Sequence, residues 1–273
     1  MLYCFIDKQT YGFFIQFDCT SSHFVVLPNI YLSMTLLSVN INKIALIRNS
    51  RGANYPDVVE AALNIERFGG QGITLHPRPD QRHATYRDVE MLKPILTTEL
   101  NVEGYPSKEF MDLVCKVKPQ QVTLVPDAPE AITSNAGWDT IQHKGFLKEI
   151  VAELHSKGIR ASIFMGTDLN QYDSAAETGT ERIELYTENY AVQYHANKAA
   201  AVAPYREAAI LANSLGLGIN AGHDLNSQNL RYFFQHVPNL LEVSIGHALI
   251  SEALYLGLEN TVQLYLRQLN DTF

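Results

Sequence analysis

The chain has 273 residues, of which 21 are basic and 29 acidic, and its formal net charge is −8. This acidic balance does not favour nucleic acid or an anionic membrane surface as a partner, so any anion must be bound by a local group of cations. The cysteines (Cys4, Cys19 and Cys115) lack the spacing of a zinc site or a disulfide framework, and no apolar run approaches the roughly 20 residues of a membrane span. We therefore expect a soluble, cytoplasmic protein without a metal site.

The first 33 residues differ from the rest of the chain. They are rich in aromatic residues, but acidic residues such as Asp7 interrupt them, and the basic start and small-residue cleavage site of a signal peptide are missing. Two interpretations remain open. Residues 1–33 are either an added segment that packs on the following domain or an upstream extension of the reading frame, with the natural start at Met34. Periodic patterning begins only at Thr35, which favours the second interpretation.

From Thr35 onward, short runs rich in β-branched residues alternate with stretches of helical period. This alternation predicts βαβ units and a parallel sheet. The candidate strands are Leu36–Ile41, Gly72–His76, Leu100–Glu103, Gln121–Val125, Arg160–Met165, Arg182–Tyr186, Leu217–Ala221 and Leu241–Ile245. Eight such units in about 240 residues predict a single (β/α)8 TIM barrel over residues 34–273. A doubly wound open sheet is the rival fold, but no GxGxxG or P-loop sequence follows the first strand.

Three helix starts can be read between these strands. Asp57, directly after Pro56, precedes apolar residues of helical period. Thr85 and Asp88 have the spacing of a capping box, and Ser107 is a candidate N-cap. These signals predict helices that begin close to residues 58, 86 and 108.

Polar and ionisable side chains gather where the candidate strands end. They are Asn40, His76, Glu103, Glu184, His223 and the Gly246-His247 pair. In a parallel barrel the carboxyl ends of the strands form one shared pocket. Each residue alone has an ordinary structural explanation, such as a hydrogen-bonded histidine, but their coincidence at several strand ends predicts a catalytic site. Imidazoles and desolvated carboxyl groups exchange protons near neutral pH, so the predicted chemistry is multistep proton transfer.

Basic residues follow the first two strands. Arg48 and Arg51 come after the first strand, and Arg78, Arg82 and His83 come after the second. The planar fork of arginine suits phosphate or carboxylate oxygens, which predicts an anionic substrate. The alternative is a solvated loop whose arginines pair with nearby aspartates.

A second anion site is predicted after the seventh and eighth strands, where Gly222 and Gly246 lie. Barrels commonly bind phosphate there through backbone N–H groups and a helix N-terminus. The chain thus offers two anion sites on one rim.

Seven ordered segments carry a resemblance to a known family. VNINKIALIRNSRG, GITLHPRPDQRH, NVE, LVPDAPEAITSNAGWD, IELYTENYA, INAGHDL and SIGHALI resemble the pyridoxine 5′-phosphate synthase family of deoxyxylulose-dependent vitamin B6 biosynthesis. The resemblance runs from about Met34 to the C-terminus. It implies a TIM-barrel transferase that condenses 3-amino-2-oxopropyl phosphate with 1-deoxy-D-xylulose 5-phosphate, releasing phosphate and water. It also implies that no metal or organic cofactor is used and that the chain forms a homo-octamer.

The resemblance further implies roles for individual residues. The catalytic positions fall on His76, Glu103, His223 and Glu184. The positions for the aminoketone phosphate fall on Asn40, Arg51, Asp224, Gly246 and His247. Those for the deoxyxylulose phosphate fall on Asn42, Lys43, Arg78, His83 and Thr133.

Two positions depart from the family pattern. Many members have Asp-His where this chain has Asn42-Lys43, and glycine often stands where this chain has Asp224. The first departure adds a cation to a substrate site, and the second adds a carboxylate beside an expected phosphate site.

The catalytic residues are expected to carry out different proton transfers. Glu103 and His76 are expected to transfer protons around imine formation and the following enamine, and His223 to protonate the leaving groups. Gly104, next to Glu103, is expected to leave room for substrate. The long, turn-rich connection at residues 126–139 is either a lid or an ordered loop.

Two other functions remain open at this stage. An isomerase or aldolase barrel would act on a single sugar phosphate and would need only one anion site. A non-enzymatic pyridoxal-phosphate-binding protein would not depend on the acid–base residues.

Overall fold

The strands close into a barrel. The computed structural model describes residues 34–126 and 137–270. The strands are β1 Leu36–Asn40, β2 Gly72–Leu75, β3 Glu99–Gly104, β4 Gln121–Leu124, β5 Arg160–Met165, β6 Arg182–Tyr186, β7 Gly218–Gly222 and β8 Leu240–Ile245. Each strand pairs in parallel with its neighbours in chain order, and β1 pairs with β8 to complete the ring. The predicted TIM barrel is confirmed, and the open-sheet rival is wrong because the first and last strands are hydrogen-bonded to each other.

Helices lie between the strands. They are α1 Asn42–Asn49, α2 Val58–Arg67, α3 Tyr86–Leu92, α4 Lys108–Val117, α5 Thr140–Ser156, α6 Tyr172–Glu177, α7 Glu188–Tyr194, α8 Lys198–Ser214, α9 Leu230–His236, α10 His247–Leu256 and α11 Leu258–Gln268. No helix in the described ranges is long and apolar enough to cross a membrane.

The predicted helix starts are confirmed by their capping bonds. The Asp57 side chain accepts from the backbone N–H groups of Val59 and Glu60 in α2, and the Ser107 side chain accepts from the N–H of Phe110 in α4. Thr85 and Asp88 form a complete capping box at α3. Each cap satisfies backbone donors that have no partner within the helix.

The apolar core lies between the barrel and the helices. Strand side chains alternate between the two faces of a sheet. One set, which includes Leu37, Val39 and Ile73, is fully buried and packs in one cluster with helical residues such as Ile65 and Leu92. The apolar positions in the strands are therefore used to bind the helices.

The inside of the barrel is filled by polar side chains. The hydroxyls of Ser38 and Thr74 are 2.7 Å apart, and the Thr123 hydroxyl donates to the side-chain oxygen of Asn101 at 3.1 Å. Barrel interiors are usually layers of branched apolar residues. Here hydrogen bonds replace that packing, and they lead from the barrel centre towards the carboxyl ends of the strands.

Charged pairs occupy the opposite end of the barrel interior. Arg160 pairs with Glu99, and Arg182 Nη1 lies 3.1 Å from Glu242 Oε2. Burial and the charge of Glu99 raise the pKa of Glu242 to about 8, whereas Arg182 acts in the opposite direction. The barrel therefore encloses ionisable groups along its whole length.

A buried ion pair holds the segment that follows β1. The two guanidinium nitrogens of Arg48 donate to the two carboxylate oxygens of Asp88 at 2.5 and 2.9 Å. Asp88 also accepts from the backbone N–H of Thr85 as part of the capping box. Of the two explanations considered for the arginines, pairing with an aspartate holds for Arg48, and also for Arg82, whose Nη1 lies 3.3 Å from Asp80 Oδ2. The Arg48–Asp88 pair ties α1 to the start of α3.

Removing the carboxylate of this pair should destabilise the barrel. Asp88→Ala leaves the guanidinium of Arg48 buried without its counter-charge, and losing one partner of a buried ion pair costs about 3–5 kcal/mol. The expected result is a fall of that size in the free energy of unfolding, measured by urea denaturation. The control is Asp112→Ala, which breaks the exposed Lys108–Asp112 pair and should change stability far less, because solvent screens exposed ion pairs. Equal effects of the two variants would contradict a structural role for the Arg48–Asp88 pair.

Residues 1–33, for which two interpretations were open, lie outside the described residues. We propose that the barrel folds without them, because β1 is already hydrogen-bonded on both sides, to β2 and to β8. A chain that starts at Met34 should therefore melt within a few degrees of the full-length chain when both are followed by circular dichroism. Aggregation or a much earlier transition would show instead that the segment stabilises the domain.

Candidate active site

The predicted catalytic residues converge at the carboxyl ends of the strands. His76 directly follows β2, Glu103 lies near the end of β3, Glu184 lies in β6, and His223 directly follows β7. His76 Nδ1 is 3.8 Å from Glu103 Oε2. The charges of Glu103 and His223 both act on the pKa of Glu184, which indicates that the groups lie close to one another. Barrel closure thus brings residues from four strands into one pocket.

Hydrogen bonds from β1 and β8, across the barrel interior, hold Glu103. Asn40 Nδ2 approaches Oε2 at 3.4 Å, and Ser244 Oγ approaches Oε1 at 3.5 Å. Asn40 ends β1 and was predicted at the site, whereas Ser244 in β8 was missed. Its position two residues before Gly246 would have revealed it, because side chains two apart share one face of a strand.

Gly104 does not leave room for substrate, so that expectation is wrong. A Cβ at this position would lie 2.2 Å from the ring of Phe110 in α4. Side chains alternate along β3, so Gly104 faces the helices while Glu103 faces the barrel. The glycine is required for the close packing of α4 on β3.

His76 is almost fully buried and is held by Asn42. Its backbone N–H donates to Asn42 Oδ1 at 3.0 Å, and the N–H of Asn42 donates in turn to Asn40 Oδ1 at 3.0 Å. Burial and the nearby cations, Arg78 first among them, hold the pKa of His76 well below its ordinary value. The imidazole is therefore neutral at neutral pH and is able to accept a proton.

Glu184 is a buried carboxyl group whose environment favours its protonated form. Burial, and then the charge of Glu103, raise its pKa to about 8, while the hydroxyl of Thr123 donates to Oε2 at 3.3 Å and acts against the shift. The absent side chain of Gly222 makes room for this carboxyl, since a Cβ there would lie 2.8 Å from Oε1. At neutral pH Glu184 is a potential proton donor.

His223 occupies a constrained position after β7. Its φ is +84°, a left-handed conformation that is uncommon for a residue with a side chain. Its Nδ1 lies 2.7 Å from Asp224 Oδ2, and its ring meets the edge of Tyr186 with the centroids 5.3 Å apart. Tyr186, at the end of β6, was not predicted as a site residue.

Three cationic side chains and a neutral imidazole form what we call the cation cluster: Lys43, Arg78 and Arg82, with His83. Arg78 is buried, and the rings of His76 and His83 meet edge to face at 6.5 Å. Burial and the charges of Arg78, Arg82 and Lys43 lower the pKa of His83 to about 4, although Asp80 acts against this shift. The positive charges beside His76 create a site suited to an anion.

A second region suited to an anion lies at the start of α10. Gly246 directly follows β8 and precedes His247, the first residue of the ten-residue helix. A Cβ on Gly246 would lie 2.9 Å from the backbone oxygen of Asn40. The positive end of the helix dipole is thereby held next to Asn40, which contacts Glu103.

The other predicted residues have different positions. Arg51 is exposed in the turn after α1, and Asp224 directs its carboxylate to His223. Thr133 and most of the predicted lid lie outside the described residues. At the far end of that connection, Trp138 is buried and its Nε1 donates to the backbone oxygen of Leu124 at 3.0 Å. In the part of the chain that the structure describes, no three His, Cys, Asp or Glu side chains are arranged to hold a metal ion.

Comparison with known proteins gives close relatives. The family described as pyridoxal phosphate biosynthesis protein PdxJ matches residues 37–271. A pyridoxine 5′-phosphate synthase from Christiangramia forsetii is 61% identical over 236 residues, which make up 86% of this chain and 100% of that protein. Another from Cytophaga hutchinsonii is 61% identical and covers 86% of this chain and 99% of its own length.

Solved structures with a similar fold are far more distant in sequence. 3-Keto-L-gulonate-6-phosphate decarboxylase from Vibrio cholerae has a TM-score of 0.58 and 10% identity, covering 88% of this chain and 99% of that one. Phosphoribosylanthranilate isomerase from Thermotoga maritima has a TM-score of 0.55 and 13% identity, covering 86% and 98%. These two similarities concern the barrel fold alone.

The family match extends over nearly the whole barrel and includes every strand that contributes to the pocket. The identities with the two relatives extend over almost their full lengths. The chain therefore belongs to the PdxJ family of pyridoxal phosphate biosynthesis proteins.

Proposed function

We propose that the chain is a pyridoxine 5′-phosphate synthase, which condenses 3-amino-2-oxopropyl phosphate with 1-deoxy-D-xylulose 5-phosphate. One observation carries the proposal: the His76–Glu103 pair has contacts on both sides. His76 meets His83 of the cation cluster at 6.5 Å between ring centroids, and Glu103 contacts Asn40, which lies against Gly246 at the start of α10. Two phosphorylated substrates need two regions suited to anions, and the His76–Glu103 pair is suited to proton transfer between them. The names of the close relatives support the same activity for this chain.

The protonation states support a general acid–base mechanism. Neutral His76 accepts a proton from the attacking amine, and the nearby carboxylate of Glu103 exchanges protons with it as the carbinolamine loses water to form the Schiff base. Protonated Glu184, and His223 once its imidazole has accepted a proton, donate protons to the departing groups, water and phosphate. An aldol-type addition then closes the ring, and a last dehydration gives the product.

The two phosphate sites are assigned from the positively charged regions of the pocket. We assign the deoxyxylulose phosphate to the cation cluster and the aminoketone phosphate to Asn40 and the Gly246-His247 start of α10. Asn42 supports the site through the backbone of His76, and Lys43 contributes charge to the cluster. The cytoplasmic location expected from the cysteines and the homo-octamer implied by the family resemblance stay predictions.

The direct test is release of inorganic phosphate from purified protein with one or both substrates. Phosphate should be released only when both are present, together with pyridoxine 5′-phosphate. Turnover of a single sugar phosphate would favour an isomerase or aldolase. Binding of pyridoxal phosphate without any turnover would favour the non-enzymatic alternative.

The first variant tests Glu103. Glu103→Gln keeps the size of the side chain but cannot exchange protons, and losing one general acid–base group costs on the order of 10²–10⁴ in rate. We expect kcat to fall by about that factor, with little change in the KM of either substrate, in steady-state assays. Glu149→Gln, on the exposed face of α5, is the matched control and should be as active as the parent. Near-normal turnover of Glu103→Gln would remove Glu103 from the mechanism.

The second variant tests the protonated state of Glu184. Its pKa rises from 4.5 to about 8 on folding, so the folded protein binds an extra proton between these values, and stability contributed by Glu184 is lost as pH rises through that window. Glu184→Gln has no such proton. We expect its free energy of unfolding, relative to the parent, to increase between pH 5 and pH 8 in urea denaturation series. A constant difference across this range would mean that Glu184 is already ionised at neutral pH.

A further inference from the structure

The residue after His223 makes a side-chain contact that substrate binding does not explain. Asp224 Oδ2 lies 2.7 Å from His223 Nδ1, and the two side chains are each about one-third exposed. A carboxylate only accepts hydrogen bonds, so the proton between the two atoms belongs to Nδ1. Asp224 is thus directed at a catalytic candidate rather than at either region suited to phosphate.

The backbone is built to hold this contact. The Thr187 hydroxyl donates to the backbone oxygen of Gly222 at 2.6 Å and accepts from the N–H of Asp224 at 3.3 Å. The buried side chain of Asn229 donates to the backbone oxygen of Asp224 at 3.3 Å. These bonds fix the residues on both sides of His223, whose own φ is +84°. The pairing therefore results from a constrained turn and not from two free side chains.

Neighbouring side chains also restrict the orientation of the His223 ring. Tyr186 meets it edge-on at 5.3 Å, and the Tyr186 hydroxyl donates to Glu188 at 2.7 Å. The carboxyl of Glu184 in β6 lies against the residue before His223, since a Cβ on Gly222 would lie 2.8 Å from Glu184 Oε1. With Nδ1 used by Asp224, Nε2 is the nitrogen left for proton exchange with a substrate.

We propose that Asp224 is a positioning residue that fixes the Nδ1–H tautomer and the ring orientation of His223, so that Nε2 carries out proton transfer. This inference rests on the proposed function, because it gives His223 its role in proton transfer: Nε2 of the neutral ring first accepts a proton, and the imidazolium, stabilised by Asp224, then donates it to a leaving group. The arrangement follows the logic of an aspartate that orients a catalytic histidine. It assigns to Asp224 a role different from the substrate contact expected from its position in the sequence.

The tautomer can be tested without any turnover. In protein labelled with 15N-histidine, long-range 1H–15N spectra distinguish a protonated from an unprotonated ring nitrogen, and His223→Gln identifies the signals of His223. The parent should show protonated Nδ1, whereas Asp224→Ala should show a mixture of tautomers or mainly Nε2–H. Spectra that do not differ between parent and Asp224→Ala would overturn the inference even if the proposed function is correct.

The kinetic test separates positioning from substrate binding. Asp224→Ala should lower kcat at least about tenfold, though by less than the roughly 10⁴ known for a buried triad aspartate, with the KM values little changed. In a His223→Gln background the same change should have no further effect, because two residues acting as one unit are not additive. A raised KM with unchanged kcat, or an undiminished effect in that background, would assign Asp224 to substrate binding instead. Circular dichroism melting of each variant verifies folding, and absence of turnover in the parent would refute the proposed function while leaving the tautomer result valid.

Discussion

The barrel removes the side chains of Glu184 and His76 from water, which destabilises the charged form of each. The pKa of the carboxyl therefore rises, and the pKa of the imidazole falls. The carboxyl of Glu184 keeps its proton at neutral pH, and the imidazole of His76 loses it. Glu184, as a carboxyl group normally an ionised base, becomes an acid, and His76, as an imidazole often a cation, becomes a neutral proton acceptor. The proposed chemistry depends on these two shifted protonation states, and the shifts depend on a closed barrel with a polar interior.

The cation cluster connects anion binding with proton transfer. Arg78 is buried next to His76 and His83, and its charge lowers the pKa of both imidazoles. The residues to which we assign phosphate binding therefore also add to the effect of burial on the protonation state of the proposed base. Arg48, only a few residues before Arg51, takes no part in this field because Asp88 neutralises it within the fold. Arginines of similar sequence context thus have different roles.

Asparagine and aspartate side chains at the rim mainly act on other protein groups. Asn42 accepts from the backbone of His76, Asn40 contacts Glu103, and Asp224 contacts His223. Each of them was expected at a substrate position. Their contacts support a layer of residues that orient the catalytic groups, and such orientation is needed because proton transfer requires hydrogen-bond distance and direction.

The sequence by itself determined the eight strands, the capped starts of α2, α3 and α4, and the gathering of His76, Glu103, Glu184 and His223 on the strands around one pocket. Strand period, cap residues and strand-end positions are local patterns. The sequence did not determine that Gly104 packs on Phe110, that Ser244 contacts Glu103, or that Arg48 pairs with Asp88. Nor did it reveal which histidine is neutral or where the Asp224 carboxylate points. These properties arise between residues far apart in the chain, or from desolvation and a backbone turn that exist only once β1 and β8 have closed the barrel. Local sequence patterns specify the elements, whereas charge, burial and orientation are fixed by the neighbours that tertiary folding supplies.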